Sequence, residues 1–582
     1  MIVPMKKVLL AGRPADREAL LQVLQQAGVV HVEPVSGKPE ISPELAREIG
    51  RTQKAIDIIS SVQPSAEGVA PPGTPARLVG EVHTTAQRLA VVEAELVALD
   101  REKEAVAPWG PINQEDIALI RRHGLCVDLF IMPPGLEAEL ISDCLEIIGR
   151  NPDGRKNWMT ISRVSPNTPP GAVKLEVPPR DVVAVQALIQ ERRLEQKKLQ
   201  ETLRQQAKRL SDLESHLLDR REQKDFIEAN AGLYQDEGLF ILQGWIPAVQ
   251  QGELGEILEK TKIPAGLTFE EPTEECHPPT KLDNPWWCKP VEYLYEFLGI
   301  TPGYREADIS PAFFPAMVIF AGMLIADAGY GIIAFIGLAL AYTRLVEAGT
   351  PRTLLHLGLS MMAGVTIYGA YTNTWFGERL ITLTSIDGNN PEHVKFLQNL
   401  CFFLGAAHMT VAHVWKGIRR APLGAHSLAD LGWILFTWAM YALVCVLILQ
   451  KPTPFYMKPF LAASIFLVLF FTEPSWNPFK AIGSGLGDLA MNLTAFFSDI
   501  ISYIRLWAVG LAGGVIAQSF NELARPLPVL VMVAVLLVAH SLNFILGVIA
   551  VLAHGVRLNL LEFSNHIGME WTGREYQPFR KR

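Results

Sequence analysis

The sequence predicts a chain in two parts: an α+β arm in the first half and an all-α membrane domain of several spans in the second. One basis is the distribution of the hydrophobic residues, which make up 49% of the 582 residues. Residues 1–305 are charged and amphipathic, whereas residues 306–566 consist mostly of apolar runs. The other basis is a set of heptad-spaced leucines within 181–230, a stretch without Gly or Pro, which is typical of a coiled coil.

The arm is predicted to combine small α/β units with a coiled coil. Alternating strand and helix patterns place the α/β units at about 1–63, 110–180 and 233–265. The heptads place two helical segments at about 76–108 and 181–232. We expect these segments to form an antiparallel hairpin with a globular unit at its tip, the longer one extending on the order of 75 Å. The alternative is a solitary solvated helix.

The second half predicts about eight membrane helices, the last two long and tilted. Its apolar segments lie at 312–342, 354–376, 395–415, 428–449, 456–473, 489–520 and 526–556. The first is about thirty residues long, more than one span needs, and contains Asp327 at its centre, so we expect two spans with a break there. Eight spans put most Lys and Arg residues of the connections on the side of the N-terminus, as the positive-inside rule requires. The N-terminal half and a tail at 567–582 are then expected to be cytoplasmic, in a multi-pass protein of the cell inner membrane.

Arg505 lies at the middle of the segment 488–520, and an arginine at mid-membrane costs about 2.5–3.5 kcal/mol on insertion scales. Small side chains stand roughly whole helical turns from it, namely Thr494, Ser498, Ser502, Ala508 and Ala512. A strip of small residues allows close packing by a partner. The alternative is an arginine that reaches a headgroup or pairs with a neighbouring helix.

The following segment carries a second polar face. His540, Asn543, Gly547, Ala550, His554 and Arg557 recur at helical spacings of three and four. Polar and small residues along one face of an otherwise apolar helix favour an ion path. Arg557, close to the predicted cytoplasmic end, could instead anchor that end at the headgroups.

Several classes of function have no support in the sequence. A net charge of −8 gives no indication of nucleic-acid binding. The six cysteines are scattered, and Cys276, His277 and Cys288 lack a second ligand pair, so no metal site and no disulfide framework are predicted. The chain has no GxxxxGK[ST] motif and no GxGxxG motif, so we expect no nucleotide site, no cofactor and no catalytic residue in this chain. Asp327 has an alternative role as a turn former.

Four motifs in order resemble the a (or I) subunit of the V/A-type rotary ATPases, of the prokaryotic type. They are FILQGWIP at 240–247, the run from Phe314 to ADAGYG at 326–331, SYIRLWAVGLA at 502–512 and HGVRLNLLEF at 554–563. The resemblance covers essentially the whole chain. It implies that Arg505 is the arginine facing the rotor ring and Arg557 the second arginine, with Asp327 at an acidic position of the first membrane hairpin. Two departures are Gly513, where eukaryotic relatives have a histidine, and Gly547, where they have a glutamate.

By this resemblance the chain is a non-catalytic stator subunit that provides two ion half-channels for H+ or Na+. Candidate lining residues are Asp327, Ser502, His540, Asn543, His554 and Glu562. The implied partners are a rotor ring of proteolipid c subunits, peripheral stalk subunits of the E/G type, a central-stalk subunit of the d/C type, and membrane lipid. Rival classes are a secondary transporter or channel, which should show internal repeats, and a membrane-anchored scaffold, which has no need of two intramembrane arginines.

Overall fold

The computed structural model describes residues 1–35, 42–65, 72–110, 113–132, 142–150, 155–168, 170–236, 238–386, 390–474 and 478–581. These residues form two compact units. The first contains Met1–Glu33 with Gln235–Phe579, and the second contains Pro34–Tyr234 with Arg580–Arg582.

The first half of the described chain mixes helices and short strands. Its helices are α1 (Arg17–Ala27), α2 (Pro43–Ser60), α3 (Pro75–Val106), α4 (Gln114–Arg122), α5 (Val182–Ala207), α6 (Leu210–Ala231), α7 (Gln251–Thr261) and α8 (Pro290–Leu298). Its strands are β1 (Met5–Gly12), β2 (His31–Glu33), β3 (Cys126–Met132), β4 (Cys144–Arg150), β5 (Lys156–Ser162), β6 (Val173–Leu175), β7 (Tyr234–Gln235), β8 (Phe240–Pro247) and β9 (Ala265–Glu270).

The second half is helical. Its helices are α9 (Ser310–Ile325), α10 (Ala328–Glu347), α11 (Arg352–Tyr371), α12 (Pro391–Arg420), α13 (Ser427–Leu449), α14 (Met457–Phe471), α15 (Pro478–Ser502), α16 (Ile504–Ala524), α17 (Val529–Ala550) and α18 (Ser564–Ile567). Two π-helical stretches, Val551–Gly555 and Leu558–Phe563, lie between α17 and α18.

The sheet of the first unit joins strands from distant parts of the sequence. Strands β2, β8, β1 and β9 pair in that order, all antiparallel. Alternate residues of β1, including Val8 and Leu10, are fully buried, as a sheet covered on one face requires. The segments 1–33 and 235–270 therefore fold as one sheet, whereas the sequence placed them in separate units, because pairing between strands so far apart leaves no local pattern.

The second unit contains a four-stranded antiparallel sheet, in the order β4, β5, β3 and β6, and a group of helices. Helix α3 packs against α5 through Val92, Leu96, Val185 and Ile189. Near the other end of α3, Leu78 and Val82 share an apolar cluster with Leu213 of α6. The heptad positions thus supply much of the buried contact between these helices.

The long helix predicted over 181–230 is interrupted in the structure. At the interruption the amide N–H of Arg209 donates to the carbonyl oxygen of Gln206 at 3.0 Å, a bond that spans only three residues. The Arg209 guanidinium donates to Asp212 at 2.7 Å and to the carbonyl oxygen of Gly73 at 2.9 Å. Leucine spacing is the same on both sides of the break, so the heptad pattern predicts a continuous helix.

The expectation of a mostly helical chain with several apolar helices is confirmed. Among the residues that the structure describes, five helical stretches could cross a membrane by length and composition: Ala328–Glu347, Arg352–Tyr371, Gly424–Leu449, Ile482–Ala524 and Val529–Ile567. Shorter apolar helices are present at Ser310–Ile325 and Met457–Phe471. The number of spans stays a prediction.

Helix α9 lies at the centre of the apolar half. Most of its residues are buried, among them Phe313, Phe320 and Leu324, in a cluster with residues of α11, α16 and the π-helical stretches. It ends at Ile325 and is followed by Ala326, whose φ of 52° is left-handed, and by Asp327, which caps the N-terminus of α10. The apolar segment 312–342 is thus divided at the point where the sequence predicted a break.

The chain beyond α18 returns to the N-terminal sheet. The guanidinium of Arg574 pairs with the Glu33 carboxylate at 2.9 Å. The amide of Gln577 donates to His31 Nδ1 at 3.1 Å, and that of Phe579 donates to the Val30 carbonyl oxygen at 2.8 Å. These contacts hold the C-terminal tail against β2 and the residue before it.

Candidate functional site

Both predicted arginines lie beside departures from α-helical geometry. Helix α15 ends at Ser502 and α16 begins at Ile504, and Tyr503 between them donates to the carbonyl oxygen of Ile500, three residues back. Arg505 follows two residues later. Arg557 stands between the two π-helical stretches. Single π turns inside α-helices are rare overall, and those that occur are often found at functional sites.

One buried carboxylate joins the two arginines. Glu562 Oε1 lies 3.4 Å from Arg505 Nη2 and 3.7 Å from Arg557 Nε. The Ser502 hydroxyl donates to the same oxygen at 2.8 Å, and Arg505 also donates to the Ser502 hydroxyl and carbonyl oxygens. The Glu562 side chain is 5% exposed, against 28% for Arg505 and 52% for Arg557. Two guanidinium groups and one carboxylate leave a formal charge of +1 at this cluster.

The structure therefore brings together four of the residues predicted from the sequence: Arg505, Arg557, Ser502 and Glu562. His554 is half-buried one turn before Arg557. The alternative considered for Arg505, a pair with a neighbouring helix, is present as the contact with Glu562. A paired arginine is not excluded from function, because the cluster retains a positive charge after the pair is formed.

The strip of small residues around Arg505 faces outward. Thr494, Ser498, Ala508 and Ala512 are all exposed, although the helix is interrupted between the second and third of them. The surface next to the charged cluster is therefore exposed and carries only small side chains, which allows another helix to approach closely.

A second polar group links α10, α16 and α17. The Tyr330 hydroxyl lies 2.7 Å from His540 Nδ1, and His540 Nε2 lies 3.0 Å from Asn521 Oδ1. The Asn543 amide donates to the Tyr330 oxygen at 3.2 Å and to the Gly513 carbonyl oxygen at 2.9 Å. Because Asn521 Oδ1 only accepts, His540 Nε2 carries the proton and Nδ1 accepts from Tyr330. His540 and Asn543, two of the predicted lining residues, thus meet in one network.

A cavity of about 120 Å³ extends from this network between α16 and α17. It is lined by Asn543 and Tyr330 and by small residues that include Gly513 and Gly547. A Cβ at Gly513 would meet nothing within 4 Å, whereas one at Gly547 would meet Ile325 at 3.1 Å. The volume is enough for several water molecules beside polar groups.

Asp327 lies in a different environment from the other candidates. Its buried carboxylate accepts hydrogen bonds from the amides of Gly329, Tyr330, Phe376 and Gly377, at 2.8 to 3.2 Å. It therefore caps the N-terminus of α10 and anchors the loop after α11. This arrangement favours the turn-forming role, and it places Asp327 next to Tyr330 rather than next to Arg505.

The sequence reasoning did not single out a further set of ionisable residues inside the apolar half: His413, Asp430, Asp499 and His566. The signal was present, since each of the first three is a titratable residue within an apolar segment. Nothing in the sequence indicated that they meet, because His413 and His566 are 153 residues apart.

No protein-family model matches the chain. Among curated proteins, it is 29% identical over 624 residues to the V-type ATP synthase subunit I of Borreliella burgdorferi, with 100% of both chains covered. It is 28% identical over 647 residues to the V-type ATP synthase subunit I 1 of Treponema pallidum, again with 100% of both covered. The A-type ATP synthase subunit I of Methanocaldococcus jannaschii is 25% identical over 388 residues, which cover 59% of this chain and 55% of that protein.

A solved structure also matches. It is a crystal structure of the cytoplasmic N-terminal domain of subunit I, a homologue of subunit a, of V-ATPase. The match has 18% sequence identity and a TM-score of 0.23, and covers 46% of this chain and 100% of that one.

Proposed function

We propose that this chain is the membrane stator subunit of a V/A-type rotary ATPase. The premise is its similarity, along the whole of both chains, to two V-type ATP synthase subunit I proteins. The observation that carries the proposal is the position of Arg505. It lies in an open strip of small residues and belongs to a cluster with a formal charge of +1. A rotor helix with a carboxylate could pass along such a strip.

The mechanism follows from electrostatics. A rotor carboxylate surrounded by lipid is neutral, because burial disfavours its charged form. Opposite Arg505 the carboxylate ionises, since an adjacent positive charge lowers a carboxyl pKa by about 1–3 units. The proton, or Na+, is released on one side of Arg505, and the carboxylate is reloaded on the other side before it returns to lipid. Arg505 thereby makes ion movement depend on rotation.

Two half-channels are required for this cycle, one leading to each side of the membrane. The cavity between α16 and α17 supports one of them, because Tyr330 and Asn543 line it and Tyr330 is hydrogen-bonded to His540. His554 and Arg557 follow along the chain towards α18, in and between the two π-helical stretches. Asp327 supports the route by positioning Tyr330, which donates to His540.

The remaining parts are proposed to hold the stator in place. The strip around Arg505 would contact a ring of proteolipid c subunits. The helices and sheet of residues 34–234 would contact peripheral stalk subunits of the E/G type, and a central-stalk subunit of the d/C type is a further proposed contact. Because the tail is bonded to β2, both lie on one side of the membrane, which we propose to be the cytoplasmic side of the inner membrane.

The test is ATP-driven ion transport by the reconstituted complex that carries Arg505→Ala. Transport should be lost while the complex still assembles, because Glu562 keeps its contact with Arg557 and its hydrogen bond from Ser502. Arg505→Lys should also fail, because a lysine is a compact point charge that loses its proton readily when buried.

The matched control is Arg525→Ala, at the residue that directly follows α16. Arg525 is 67% exposed and pairs with Glu378 at 2.8 Å, away from Glu562, so its loss should leave transport near the unmodified rate. Transport that survives in Arg505→Ala would contradict the proposed function. Co-purification with a ring of small proteolipids would separate a stator from a secondary transporter or a scaffold.

A further inference from the structure

Four ionisable side chains meet inside the apolar half, away from the two arginines. His413 lies on α12, Asp430 on α13, Asp499 on α15 and His566 on α18. His413, Asp430 and His566 are buried, and Asp499 is 24% exposed. Ionisable groups within apolar helices are costly, so their presence in a contiguous group calls for a function.

The four side chains form a chain in space. His566 Nε2 lies 3.1 Å from Asp499 Oδ2, and His566 Nδ1 lies 3.2 Å from His413 Nε2. His413 Nδ1 lies 3.8 Å from Asp430 Oδ1, which is longer than a hydrogen bond. Asp430 Oδ2 in turn lies 3.9 Å from Arg420 Nη1 at the end of α12.

The hydrogen bonds fix where the protons stand. Asp499 accepts, so His566 Nε2 carries a proton and its Nδ1 accepts from His413 Nε2. His413 Nδ1 is then a bare acceptor aimed towards Asp430. Within the part of the chain that the structure describes, His413 Nδ1 and both Asp430 oxygens are buried and have no hydrogen-bond partner. Buried polar atoms without hydrogen-bond partners are rare. A proton shared between the two residues would give a partner to His413 Nδ1 and to one Asp430 oxygen.

The walls of this chain are aromatic and its two ends are accessible. His413 stacks on Phe496 with ring centroids 5.4 Å apart, and Phe496 packs edge-on against His566 at 4.4 Å. At one end Arg420 is 47% exposed beside Asp430. At the other, Asp499 stands three residues before Ser502, which donates to Glu562. The row of four ionisable side chains therefore leads from the end of α12 towards the arginine cluster.

The end of α12 lies on the side of the N-terminal sheet. Arg419, next to Arg420, donates to the carbonyl oxygen of Arg305 at 2.7 Å, just before α9 begins. The Cβ of a residue at Gly568, on the tail that reaches β2, would stand 3.9 Å from Lys416 Nζ. In the orientation proposed above, the end of this row of side chains at Asp430 and Arg420 faces the cytoplasm.

We propose that Asp430, His413, His566 and Asp499 form a proton relay between the cytoplasmic end of α12 and the rotor-facing surface at Ser502. The inference rests on the proposed function and deepens it, because it makes the transported ion H+ rather than Na+. A proton passes from Asp430 to His413 Nδ1, the Nε2 proton of His413 passes to His566 Nδ1, and the Nε2 proton of His566 passes to Asp499. One proton enters and one leaves, and both rings change tautomer.

Imidazole nitrogens suit this transfer and not Na+. Each ring can hold a proton on one nitrogen while the other accepts, which is the property of histidine that serves proton shuttles. Hard cations take several oxygen ligands, whereas the two central members of this chain present only nitrogen. Lys416 and Arg420 of α12 add positive charge nearby, which also disfavours a stationary cation.

The test uses the reconstituted complex with His413→Gln and His566→Gln. Glutamine keeps a polar side chain but does not shuttle a proton, so ATP-driven acidification should fall at least tenfold while assembly and thermal stability stay unchanged. The matched control is His426→Ala, a half-buried histidine with its Nδ1 3.3 Å from the Thr472 carbonyl oxygen, outside the relay. It should transport at the unmodified rate.

Rescue separates a relay from a structural role. In His566→Ala, imidazole added on the cytoplasmic side should restore acidification several-fold, and it should restore nothing in Arg505→Ala. Unchanged acidification in the two glutamine variants would overturn the relay. Loss with no rescue and with lower thermal stability would also overturn it, as would Na+ transport without proton movement by the unmodified complex. These results leave the proposed function intact, because that function fails only when Arg505→Ala still transports.

Discussion

Replacing Glu562 by glutamine tests the charge arrangement of the site most directly. The glutamine retains an oxygen that can accept from Ser502, so the local shape is preserved. It removes the negative charge that lies 3.4 Å from Arg505 and 3.7 Å from Arg557. The cluster then has a formal charge of +2 instead of +1. A rotor carboxylate that reaches Arg505 should be held more tightly and released more slowly.

The size of the effect can be worked from the distances. At an effective dielectric constant of about 20, each arginine contact with Glu562 corresponds to about 5 kcal/mol of attraction before desolvation. A rotor carboxylate paired with Arg505 would stand about 7 Å from Glu562, where the repulsion between the two carboxylates is about 2 kcal/mol. Without that repulsion, release from Arg505 should slow about 10- to 30-fold.

The measurement is ATP-driven ion transport and ATP hydrolysis by the reconstituted complex, followed side by side. Both rates should fall together in Glu562→Gln, because slow release stops rotation without opening a leak. The matched control is Glu522→Gln, an exposed glutamate on α16 that accepts from Gln518 at 3.2 Å. If Glu562→Gln transports at the rate of this control or faster, the retained charge of +1 has no role in release.

Two further results are expected. Arg557→Ala should lower the number of ions moved per ATP hydrolysed. Arg557→Lys should be tolerated better than the same change at Arg505, because Arg557 is more exposed. If Arg557 only anchors the helix end, neither the rate of ion transport nor that of ATP hydrolysis should change. The contact of the tail with β2 should weaken in acid. Burial lowers the pKa of His31, whereas burial of Glu33 is outweighed by hydrogen bonds from Trp245 and Arg574, which lower its pKa. Both groups bind fewer protons when folded, so stability is lost as the pH falls below 6.5 for His31 and then below 4.5 for Glu33. As the pH falls through that range, amide hydrogen exchange at residues 574–579 should become faster than its intrinsic pH dependence predicts. In His31→Asn, the part of this increase that begins below pH 6.5 should be smaller.

The sequence predicted those parts of the site that depend on local composition. Arg505 and Arg557 stand out because they are charges within apolar segments, and the strip of small residues around Arg505 is visible from helical spacing alone. The partners that act on these residues come from elsewhere. The contact between Ser502 and Glu562 joins residues 60 apart in the chain, and that between Tyr330 and His540 joins residues 210 apart. A single sequence holds no signal for such contacts, for the same reason that it placed β1 and β8 in separate units.

The π-helical backbone at Glu562 shows a second reason why helical periodicity in the sequence cannot predict every contact, and it bears on the mechanism. Glu562 follows Arg557 by five residues, and on a regular α-helix five residues correspond to a rotation of about 140° beyond one turn. The two side chains would then point to different faces. The π-helical stretch Leu558–Phe563 has hydrogen bonds that span five residues instead of four, so the chain turns less per residue and Glu562 lies closer to the face of Arg557. The same geometry presents the carboxylate to Arg505 on the neighbouring helix. The π turns therefore allow one carboxylate to hold two arginines and leave a single formal positive charge at the surface that we propose to face the rotor.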